Sequence, residues 1–450
     1  MSGKFDIAIV GGGMVGASLA VSLEGLGLRI ALIEAVPHDS ASQPSFDERT
    51  TALSNGSRRI LETLGLWAAV SGAATPIRKI HVSDQGRFGF ARVDAAEQGL
   101  AAMGYVVPNR SLGAALWERL SQSENLGIFC PARVTRVNPT DRSVELTIAM
   151  GGNGATAGNE STAGSESSVG TESSVGAGTS VGAGTSVGTG ASSATTQLIE
   201  ARLVVAADGA QSAVRGAFGI AAEVRDYEQT AVITAVLPQR FHDYVAYERF
   251  TATGPLALLP LADGRCTLVL TLKPDVAKAA LAWSDEEFIA EVQRRFGFRL
   301  GRFLKVGKRV PYPLSLTRSD RLSSGRCVVV GNAAQGLHPV AGMGFNLGLR
   351  DAVSLAELAA DRQRVPQSDL GDGTLQAEYD AWRASDRGGI IAFTDGLIRV
   401  FSNPLGAVQR LRNLALLAFD VLPPAKSALS RLSTGASGRI PKLARGVALR

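Results

Sequence analysis

Hydrophobic residues in the first 34 positions form two apolar runs on either side of a stretch with helical spacing. The run FDIAIV (5–10) predicts a buried strand, ASLAVSLEGLG (17–27) predicts a helix, and LRIALIE (28–34) predicts a second strand. Strand, helix and strand within about 30 residues form a βαβ unit, and such units build parallel sheets. The N-terminal part of the chain therefore predicts an α/β domain.

Further along the chain the hydrophobic pattern changes twice. Residues 58–71 and 111–121 have helical spacing, whereas TAVITAVL, VAYERF, GPLALLPL and CTLVLTL between about 230 and 272 are short runs separated by Gly, Pro and Asp. These runs predict a mainly antiparallel sheet in a second domain. Residues 320–335 return to loop, strand and glycine turn, and 343–361 predict a helix.

About 45 residues between LTIAM and LIEARLVVAADG interrupt this order with Gly, Ser, Thr and Ala. They contain a six-residue repeat with valines at 169, 175, 181 and 187. Four weakly apolar positions are too few for the continuous core of a hexapeptide β-helix, the alternative interpretation. We therefore expect a disordered low-complexity insertion at the tip of a hairpin.

The composition indicates a globular protein with a large core. Hydrophobic residues make up 45% of the 450 positions, and 46 basic against 41 acidic residues give +5, too little to argue for nucleic-acid binding. Cys130, Cys266 and Cys327 lie far apart without metal-ligand spacing. Because there is no signal-peptide layout and no apolar run near the roughly 20 residues of a membrane span, we expect a cytoplasmic protein without a metal site.

The first glycine turn carries the strongest chemical signal. Gly11 permits a tight turn, Gly13 lets the backbone approach a pyrophosphate at the positive end of the next helix, and Gly16 allows close packing of helix on strand. Glu34 follows the second strand, where it is positioned for ribose hydroxyls. The pattern predicts a dinucleotide site and leaves open whether NAD or FAD occupies it.

Two later segments have the same pattern of a predicted strand followed by a turn that contains glycine. LVVAADG ends a predicted strand in Asp208 and Gly209, which by themselves fit a plain turn equally well. CVVVGNAAQGLHPVAGMGFNLG begins with a strand and turns at Gly331 and Asn332. His338 in this second stretch precedes a proline that disfavours a helical backbone, and we interpret it as structural rather than catalytic.

A fourth stretch, DERTTALS (47–54), places an arginine just before a predicted helix. Arg49 is close enough in sequence to the second strand to reach phosphates that the glycine turn leaves partly neutralised. A solvated cap at the start of the helix is an equally good interpretation.

In this order the motifs resemble those of the class A flavoprotein aromatic hydroxylases. That family has an N-terminal G-x-G-x-x-G, a central Asp-Gly and a late Gly-Asp followed by a glycine-rich helix start, matched here by Gly11/Gly13/Gly16, Asp208/Gly209 and Gly331/Asn332. Most members have Asp where Asn332 stands and His where Gln335 stands. The likeness covers nearly the whole chain except the repeat insertion and the far C-terminus.

Longer stretches resemble the ubiquinone-biosynthesis hydroxylases within that family. They are FDERTTALSNGSRRILETLGLW, ERFTATGPLALLPL, LADGRCTLV and GNAAQGLHPVAGMGFNLGLRD. HVSDQGRFGF and the Asn332/Gln335 pair resemble 2-polyprenyl-6-methoxyphenol hydroxylase in particular.

The resemblance implies an α/β fold of the para-hydroxybenzoate hydroxylase-like type. Its Rossmann-type FAD-binding domain would comprise 1–75, 105–225 and 320–370, with the repeat insertion at about 151–197. An inserted, mainly antiparallel β-sheet substrate domain would comprise 76–104 and 226–319, and a basic region with C-terminal helices would comprise 371–450.

The resemblance also implies that ten residues bind FAD. They are Gly11, Gly13, Gly16, Glu34, Arg49, Arg110, Asp208, Gly331, Asn332 and Met343. Three more residues would surround the flavin ring, where negative charge develops on reduction: Pro339, Gly342 and Gly344. No acid or base is assigned.

The substrate pocket should be apolar. Its candidate residues are Leu256, Leu258 and Pro260, for which ordinary sheet core is the alternative interpretation.

The activity implied is hydroxylation of a polyprenylated phenol in ubiquinone biosynthesis, most simply of 2-polyprenyl-6-methoxyphenol to the 1,4-benzoquinol. NADPH or NADH would reduce FAD, and dioxygen would then give a flavin 4a-hydroperoxide as the oxygen donor. The alternatives are a class A hydroxylase of a small soluble aromatic acid and hydroxylation at another ring position of the same pathway. A flavin-binding scaffold without catalysis is a third hypothesis.

The C-terminal region suggests where a partner binds. From residue 401 onwards there are eight basic residues against Asp420, a charge of about +7. RLRNLALLAFDVL (410–422) is compatible with an amphipathic helix on an anionic membrane, with contact to a multi-enzyme assembly, or with a helix packed on the FAD domain. Peripheral attachment to the inner face of the membrane is thus one expectation.

Overall fold

The structure is a computed structural model that describes residues 3–40, 43, 45, 49–87, 89–151, 195–338, 342–401 and 438–449. Its strands are β1 (Gly3–Val10), β2 (Ile30–Ile33), β3 (Thr50–Ser54), β4 (Thr75–Ile77), β5 (Lys79–Asp84), β6 (Phe90–Asp94), β7 (Gly104–Pro108), β8 (Leu126–Phe129), β9 (Ala132–Pro139), β10 (Val144–Met150), β11 (Thr196–Ala206), β12 (Ala222–Pro238), β13 (Val245–Thr251), β14 (Gly254–Pro260), β15 (Cys266–Leu272), β16 (Phe303–Val306), β17 (Val310–Ser319), β18 (Ser323–Ser324), β19 (Cys327–Val329) and β20 (Gln335–Gly336).

The α-helices of the described residues are α1 (Met14–Ser22), α2 (Asn55–Thr63), α3 (Trp67–Ser71), α4 (Asn109–Ser121), α5 (Ala213–Ala217), α6 (Pro274–Ala282), α7 (Asp285–Phe296), α8 (Met343–Gln363) and α9 (Thr374–Phe401). The single helix predicted over 58–71 is wrong, because α2 and α3 flank a break there. Gly65 lies in this break with a φ of +74°, a left-handed conformation that a continuing helix does not contain.

The first sheet has the strand order β18-β19-β11-β1-β2-β8. β1 is parallel to both β2 and β11, and β11 is parallel to β19. Helices α1 and α8 pack against each other beside this sheet. The predicted βαβ unit with its parallel sheet is therefore confirmed.

The second sheet has the order β20-β17-β12-β15-β14-β13-β5-β6. Its pairings are antiparallel except for the parallel pair of β13 and β5. Apolar residues on one of its faces form a core with α6 and α7. The strands come from 79–94, from 222–319 and, with β20, from 335–336, which lies in the range assigned to the FAD domain. The division of the chain into an FAD domain and an inserted substrate domain stays a proposal.

The repeat insertion follows the end of one strand of a hairpin. β10 pairs antiparallel with β11, and Met150 N–H donates to the Thr195 carbonyl at 2.9 Å. The expected hairpin is thus present. The repeat itself, at 152–194, lies outside the described residues, as does the stretch 410–422.

Candidate active site

Three glycine turns meet at one edge of the first sheet. They follow β1, β11 and β19, which are neighbours with Val10 opposite Ala206 and Ala206 opposite Val329. Because all three strands are parallel, their carboxyl ends lie side by side, which is where open α/β sheets bind ligands. Segments some 320 residues apart in sequence therefore build one site.

The first turn has no space for side chains. A Cβ on Gly11, whose φ is +107°, would lie 2.4 Å from the Ala207 carbonyl oxygen, and one on Gly16 would lie 1.9 Å from the Gly11 carbonyl oxygen. α1 starts directly after Gly13, which supplies no side-chain cap. The first amide N–H groups of α1 are therefore positioned to bind an anion such as a pyrophosphate.

Glu34 stabilises this turn from the end of β2. Its carboxylate accepts hydrogen bonds from the Gly12 N–H at 2.5 Å and the Val36 N–H at 2.8 Å. The side chain also lines the cavity described below. Glu34 thus combines a structural role with a position from which a carboxylate oxygen faces a ligand.

The second turn is connected to the third by a buried arginine. Asp208 accepts a short hydrogen bond from the Ser212 hydroxyl and another from the Val214 N–H at 3.3 Å, so its carboxylate supports the start of α5. Arg215 Nη1 donates to the Ala210 carbonyl at 3.0 Å and to the Ala333 carbonyl at 2.9 Å. The guanidinium therefore fixes the distance between the two turns.

The third turn is stabilised by a buried carboxylate. Asp351 of α8 accepts from the Gly331 N–H at 3.2 Å and from Gln335 Nε2 at 2.6 Å. Its other oxygen accepts from Arg383 Nε of α9 at 2.8 Å. Burial opposes the charge of Arg383, but Asp351 and Asp386 outweigh that effect and raise the arginine's pKa. The Arg383 guanidinium therefore stays charged.

Gly342 starts α8 in a left-handed conformation with a φ of +60°, and a Cβ there would lie 2.9 Å from the Ala52 Cβ. Asn346, one turn later, donates to the Gly342 carbonyl at 2.7 Å and to the Ala52 carbonyl at 2.8 Å. Its side-chain oxygen accepts from the Ser54 N–H at 2.8 Å. One buried amide thus connects the start of α8 to β3.

A single cavity of about 1490 Å³ runs from these turns to the second sheet. The resemblance assigned thirteen residues to the site, and nine of them lie in the wall of this cavity: Gly11, Gly13, Glu34, Arg49, Asp208, Asn332, Gly342, Met343 and Gly344. Arg49 also stacks over the Tyr312 ring, with its guanidinium carbon 4.3 Å from the ring centroid.

Four of the carried-over residues are not part of the lining. Gly16 and Gly331 lie behind it, where a Cβ would meet the Gly11 carbonyl or the Val15 side chain. Arg110 is exposed, and its neighbour Asn109 lines the cavity instead. Pro339 lies outside the described residues. The binding roles of all thirteen remain predictions.

The far end of the cavity is mainly apolar. The second sheet lines it with Ile80, Val82, Ala91, Val93, Ala246, Phe250, Ala257, Leu259 and Val269, and also with Tyr247, Glu248, Thr267 and Tyr312. The candidates Leu256 and Leu258 point to the opposite face of β14 and are fully buried in the core with α7. Ordinary sheet core was the correct interpretation for these leucines, because a shift of one residue changes the face of a strand.

Helix α9 completes this apolar end with residues that the sequence did not single out. Phe393, Val400 and Phe401 line the cavity. The Phe401 ring stacks on Phe250 with centroids 3.5 Å apart and an interplanar angle of 17°. The sequence signal was only a helix in the C-terminal region, and its contact with β13 depends on tertiary packing.

His338 is buried beside the cavity wall. Its exposed fraction is 1%, and its ring meets Tyr227 edge-on with centroids 5.3 Å apart. Burial lowers the pKa of His338 to about 4. The imidazole is therefore neutral at pH 7, which supports its interpretation as a structural residue.

The cavity fits FAD together with a second molecule. Binding cavities for one drug-sized ligand span about 300–1,000 Å³, and this one is larger at about 1490 Å³. Its glycine-turn end offers the uncapped amides of α1 and the cations Arg49 and Arg133 to phosphates, whereas the other end is apolar. The two ends suit a dinucleotide and a hydrophobic substrate respectively.

The family model described as an FAD binding domain matches residues 4–364. The chain belongs to this family. As a member it is an FAD-binding monooxygenase. Ubiquinone hydroxylase UbiL of Rhodospirillum rubrum is 35% identical over 448 residues, which cover 99% of this chain and 93% of the relative. The 3-demethoxyubiquinol 3-hydroxylase of Escherichia coli is 28% identical over 419 residues, covering 92% and 94%.

Solved structures show the same fold. This monooxygenase matches p-nitrophenol 4-monooxygenase PnpA from Pseudomonas putida DLL-E4 with a TM-score of 0.72 at 19% identity, covering 98% of this chain and 100% of that one. The expected para-hydroxybenzoate hydroxylase-like fold is thereby confirmed. Within the part of the chain that the structure describes, no helix is both long and apolar enough to cross a membrane.

Proposed function

We propose that this monooxygenase hydroxylates the ring of a polyprenylated phenol in ubiquinone biosynthesis, converting 2-polyprenyl-6-methoxyphenol to the 1,4-benzoquinol. The observation that carries the proposal is the single cavity with a phosphate-binding end and an apolar end. The relatives add support, since ubiquinone hydroxylase UbiL is 35% identical over almost the whole chain. The Escherichia coli relative is named for position 3, so the para position is the finer part of the proposal.

Different residues along the cavity bind different parts of FAD and the substrate. The α1 amides and Arg49 bind the diphosphate, Glu34 accepts from ribose hydroxyls, and the amides at Gly342 and Gly344 face the flavin. Bound FAD supplies the oxygen-transfer chemistry, with NADPH or NADH and dioxygen as co-reactants. The apolar strands exclude water and orient the phenol ring towards the third turn.

A small aromatic acid is the alternative substrate. Recognition of its carboxylate calls for an arginine or a tyrosine pair near the ring. Tyr247 and Tyr312 line the cavity on the side of the second sheet, and Arg49 stacks over Tyr312. The relatives named for ubiquinone favour the prenylated phenol. NADPH oxidation stimulated by benzoates and not by prenylated phenols would reverse this choice.

The first experiment measures cofactor and turnover. Purified protein should show flavin absorbance near one FAD per chain and should oxidise NADPH or NADH faster when 2-prenyl-6-methoxyphenol is added. A colourless protein that FAD does not reconstitute would refute the proposal.

A second experiment tests the step in the pathway. A deletion strain should accumulate the prenylated methoxyphenol, and the accumulation of another precursor would move the assignment to that step.

We also propose that the protein acts peripherally at the cytoplasmic face of a membrane or within a multi-enzyme assembly, because its substrate is lipophilic. The amphipathic stretch from 410 to 422 in the basic C-terminal region is our proposed contact, and it lies outside the described residues. Replacing Arg410 and Arg412 by Glu should reduce co-sedimentation with anionic vesicles. Unchanged co-sedimentation would argue against this contact.

A further inference from the structure

Large apolar side chains are exposed at one edge of the second sheet. Phe298 is 65% exposed, Leu304 54% and Phe241 48%. Phe241 and Phe298 are the exposed phenylalanines among the residues that the structure describes. Single exposed apolar side chains are normal on a protein surface, whereas several that lie together mark a site of interaction.

The backbone brings these three residues into one region. β16 pairs antiparallel with the end of β12, and the contact continues beyond the two strands. The Gln239 N–H donates to the Arg302 carbonyl at 2.7 Å. The Arg240 N–H donates to the Leu300 carbonyl at 3.0 Å. Because β16 pairs with β12 alone in the described structure, the two segments lie at an edge of the sheet.

Local irregularities of the backbone explain why two of the side chains are exposed. Leu304 is the extra residue of a β-bulge, whereas its neighbours Phe303 and Lys305 pair with β12. Phe303 is buried in the core with α7. Phe298 follows the end of α7 in a tight turn, where its carbonyl accepts from the Gly301 N–H at 3.0 Å. Leu304 and Phe298 therefore project from the sheet instead of packing on it.

The same two segments carry five exposed cations. They are Arg240, Arg299, Arg302, Lys305 and Lys308. None of the five forms an ion pair with a described residue, and Asp243 is the acidic residue of the segments 237–243 and 298–308. The three apolar and five basic residues, which we call the β16 edge, thus form a positively charged surface with apolar projections.

An anionic membrane offers a partner to both kinds of side chain. Its charged headgroups lie outside a layer of acyl chains, so Phe and Leu side chains enter the apolar boundary while Lys and Arg reach the headgroups. Lysines on an edge strand also prevent pairing with another sheet, but that purpose does not require the exposed Phe298 and Leu304. An acidic protein would match the cations too, but it would have to enclose apolar side chains that project singly, whereas a fluid lipid layer adapts to them.

We propose that the β16 edge binds an anionic lipid surface, with its apolar side chains at the boundary of the acyl chains and its cations at the headgroups. The inference rests on the peripheral attachment proposed above and adds a contact within the folded sheet. Since the same sheet lines the cavity, this contact would fix the orientation of the cavity towards the membrane that supplies a lipophilic phenol.

The first test measures binding to vesicles of defined charge. Full-length, FAD-loaded protein should co-sediment with vesicles of phosphatidylglycerol and phosphatidylcholine, less at high ionic strength than at low, and not with phosphatidylcholine alone. Lys305→Glu combined with Lys308→Glu should lower the partition coefficient roughly 25-fold or more, which is about fivefold for each lysine removed.

The matched control reverses two exposed arginines of the first sheet, Arg136→Glu with Arg142→Glu. Its partition coefficient should stay within about twofold of the wild type, because charges beyond a Debye length from the lipid are screened. An equal loss in both double variants would show attraction without a defined contact. That result, or unchanged binding of the lysine variant, would overturn the proposal, and the second outcome would leave an acidic protein as the partner.

The second test follows the apolar side chains. The emission of Phe298→Trp should be quenched by lipids brominated in their acyl chains, and Leu304→Ser should lower the partition coefficient about tenfold. The controls are Val365→Trp and Val365→Ser, at a residue just after α8 that is 52% exposed. All variants should keep the FAD content of the wild type, since none of these residues lines the cavity. Absence of quenching in Phe298→Trp, or equal losses in Leu304→Ser and Val365→Ser, would overturn the proposal.

The two proposals fail separately. A wild type that binds vesicles through the β16 edge but does not hydroxylate 2-prenyl-6-methoxyphenol refutes the proposed function alone. A wild type that hydroxylates this phenol, while only Arg410→Glu with Arg412→Glu lowers its co-sedimentation, refutes the role of the β16 edge alone.

Discussion

Gly16 has the tightest contact in the first turn, since a Cβ there would lie 1.9 Å from the Gly11 carbonyl oxygen. Gly16→Ala must therefore push α1 away from β1 and displace the amides that bind the diphosphate. We expect at least a tenfold loss of FAD affinity, equivalent to about 1.4 kcal/mol, measured by equilibrium titration of the apoprotein. Gly72→Ala is the control, because no atom lies within 4 Å of that Cβ. Equal FAD affinity in the two variants would contradict the proposed binding mode.

His338 predicts a specific dependence of stability on pH. Its pKa is lowered by burial to about 4, so the unfolded chain, with a pKa near 6.5, takes up a proton first. The stability contributed by the neutral imidazole is complete above about pH 6.5 and is lost as the pH falls towards 4. Between pH 7 and pH 5 the free energy of unfolding of the wild type should fall by about 2 kcal/mol more than that of His338→Gln.

Urea unfolding at the two pH values measures this difference. The exposed His38, replaced by Gln, provides a control that should keep the wild-type slope. If His338→Gln keeps that slope as well, the histidine is not buried as a neutral group.

At the scale of elements, β14 separates core from cavity by alternation. Leu258 is fully buried against α7, whereas Ala257 lines the cavity. Leu258→Ala should lower the free energy of unfolding by about 2–5 kcal/mol with little change in KM. Ala257→Leu should raise KM for a prenylated phenol with little loss of stability. Chemical denaturation and steady-state kinetics on both variants test this prediction. A rise in KM for Leu258→Ala and a loss of stability for Ala257→Leu would mean that the strand faces the other way.

Helix α9 is attached to the third turn by buried ion pairs. Arg383 is fully buried and pairs with Asp351 at 2.8 Å and with Asp386 at 2.6 Å. Removing one partner of such a pair leaves an uncompensated charge, so Arg383→Ala should cost about 3–5 kcal/mol and weaken FAD binding through Asp351. We expect both effects in urea unfolding and in the FAD content.

The control for this prediction is an exposed ion pair between strand β12 and the same helix. Arg225 pairs with Asp395 at 3.6 Å, and its side chain is 46% exposed. Arg225→Ala should change stability by no more than about 1 kcal/mol. A similar loss in the free energy of unfolding for Arg383→Ala and Arg225→Ala would mean that the buried network does not stabilise the turn.

The elements also show which features of the site could be predicted from the sequence. The turn from Gly11 to Gly16 was predictable because its strand, its helix and Glu34 lie within one short βαβ unit. Glu248 and Phe401 were not, because their positions depend on the pairing of β13 with β5, more than 150 residues away, and on the packing of α9. The break at Gly65 had a signal, a glycine inside a helical pattern.

For the whole molecule, the order of three parallel strands determines the function. β1, β11 and β19 are neighbours, so motifs scattered over the chain form one end of a cavity, and the sheet built from the inserted segments forms the other. This arrangement was accessible from the sequence only through the resemblance, since hydrophobic periodicity does not specify which strands pair.

The central claim is that one cavity holds FAD at its glycine turns and a lipophilic phenol at its apolar end. The most direct test is the reaction of the FAD-loaded protein with NADPH, ¹⁸O₂ and 2-prenyl-6-methoxyphenol, followed by mass spectrometry and NMR of the product. Our account predicts one ¹⁸O atom in the product, on the ring carbon para to the original hydroxyl. Reduced nicotinamide consumed with release of hydrogen peroxide and an unchanged phenol would contradict it.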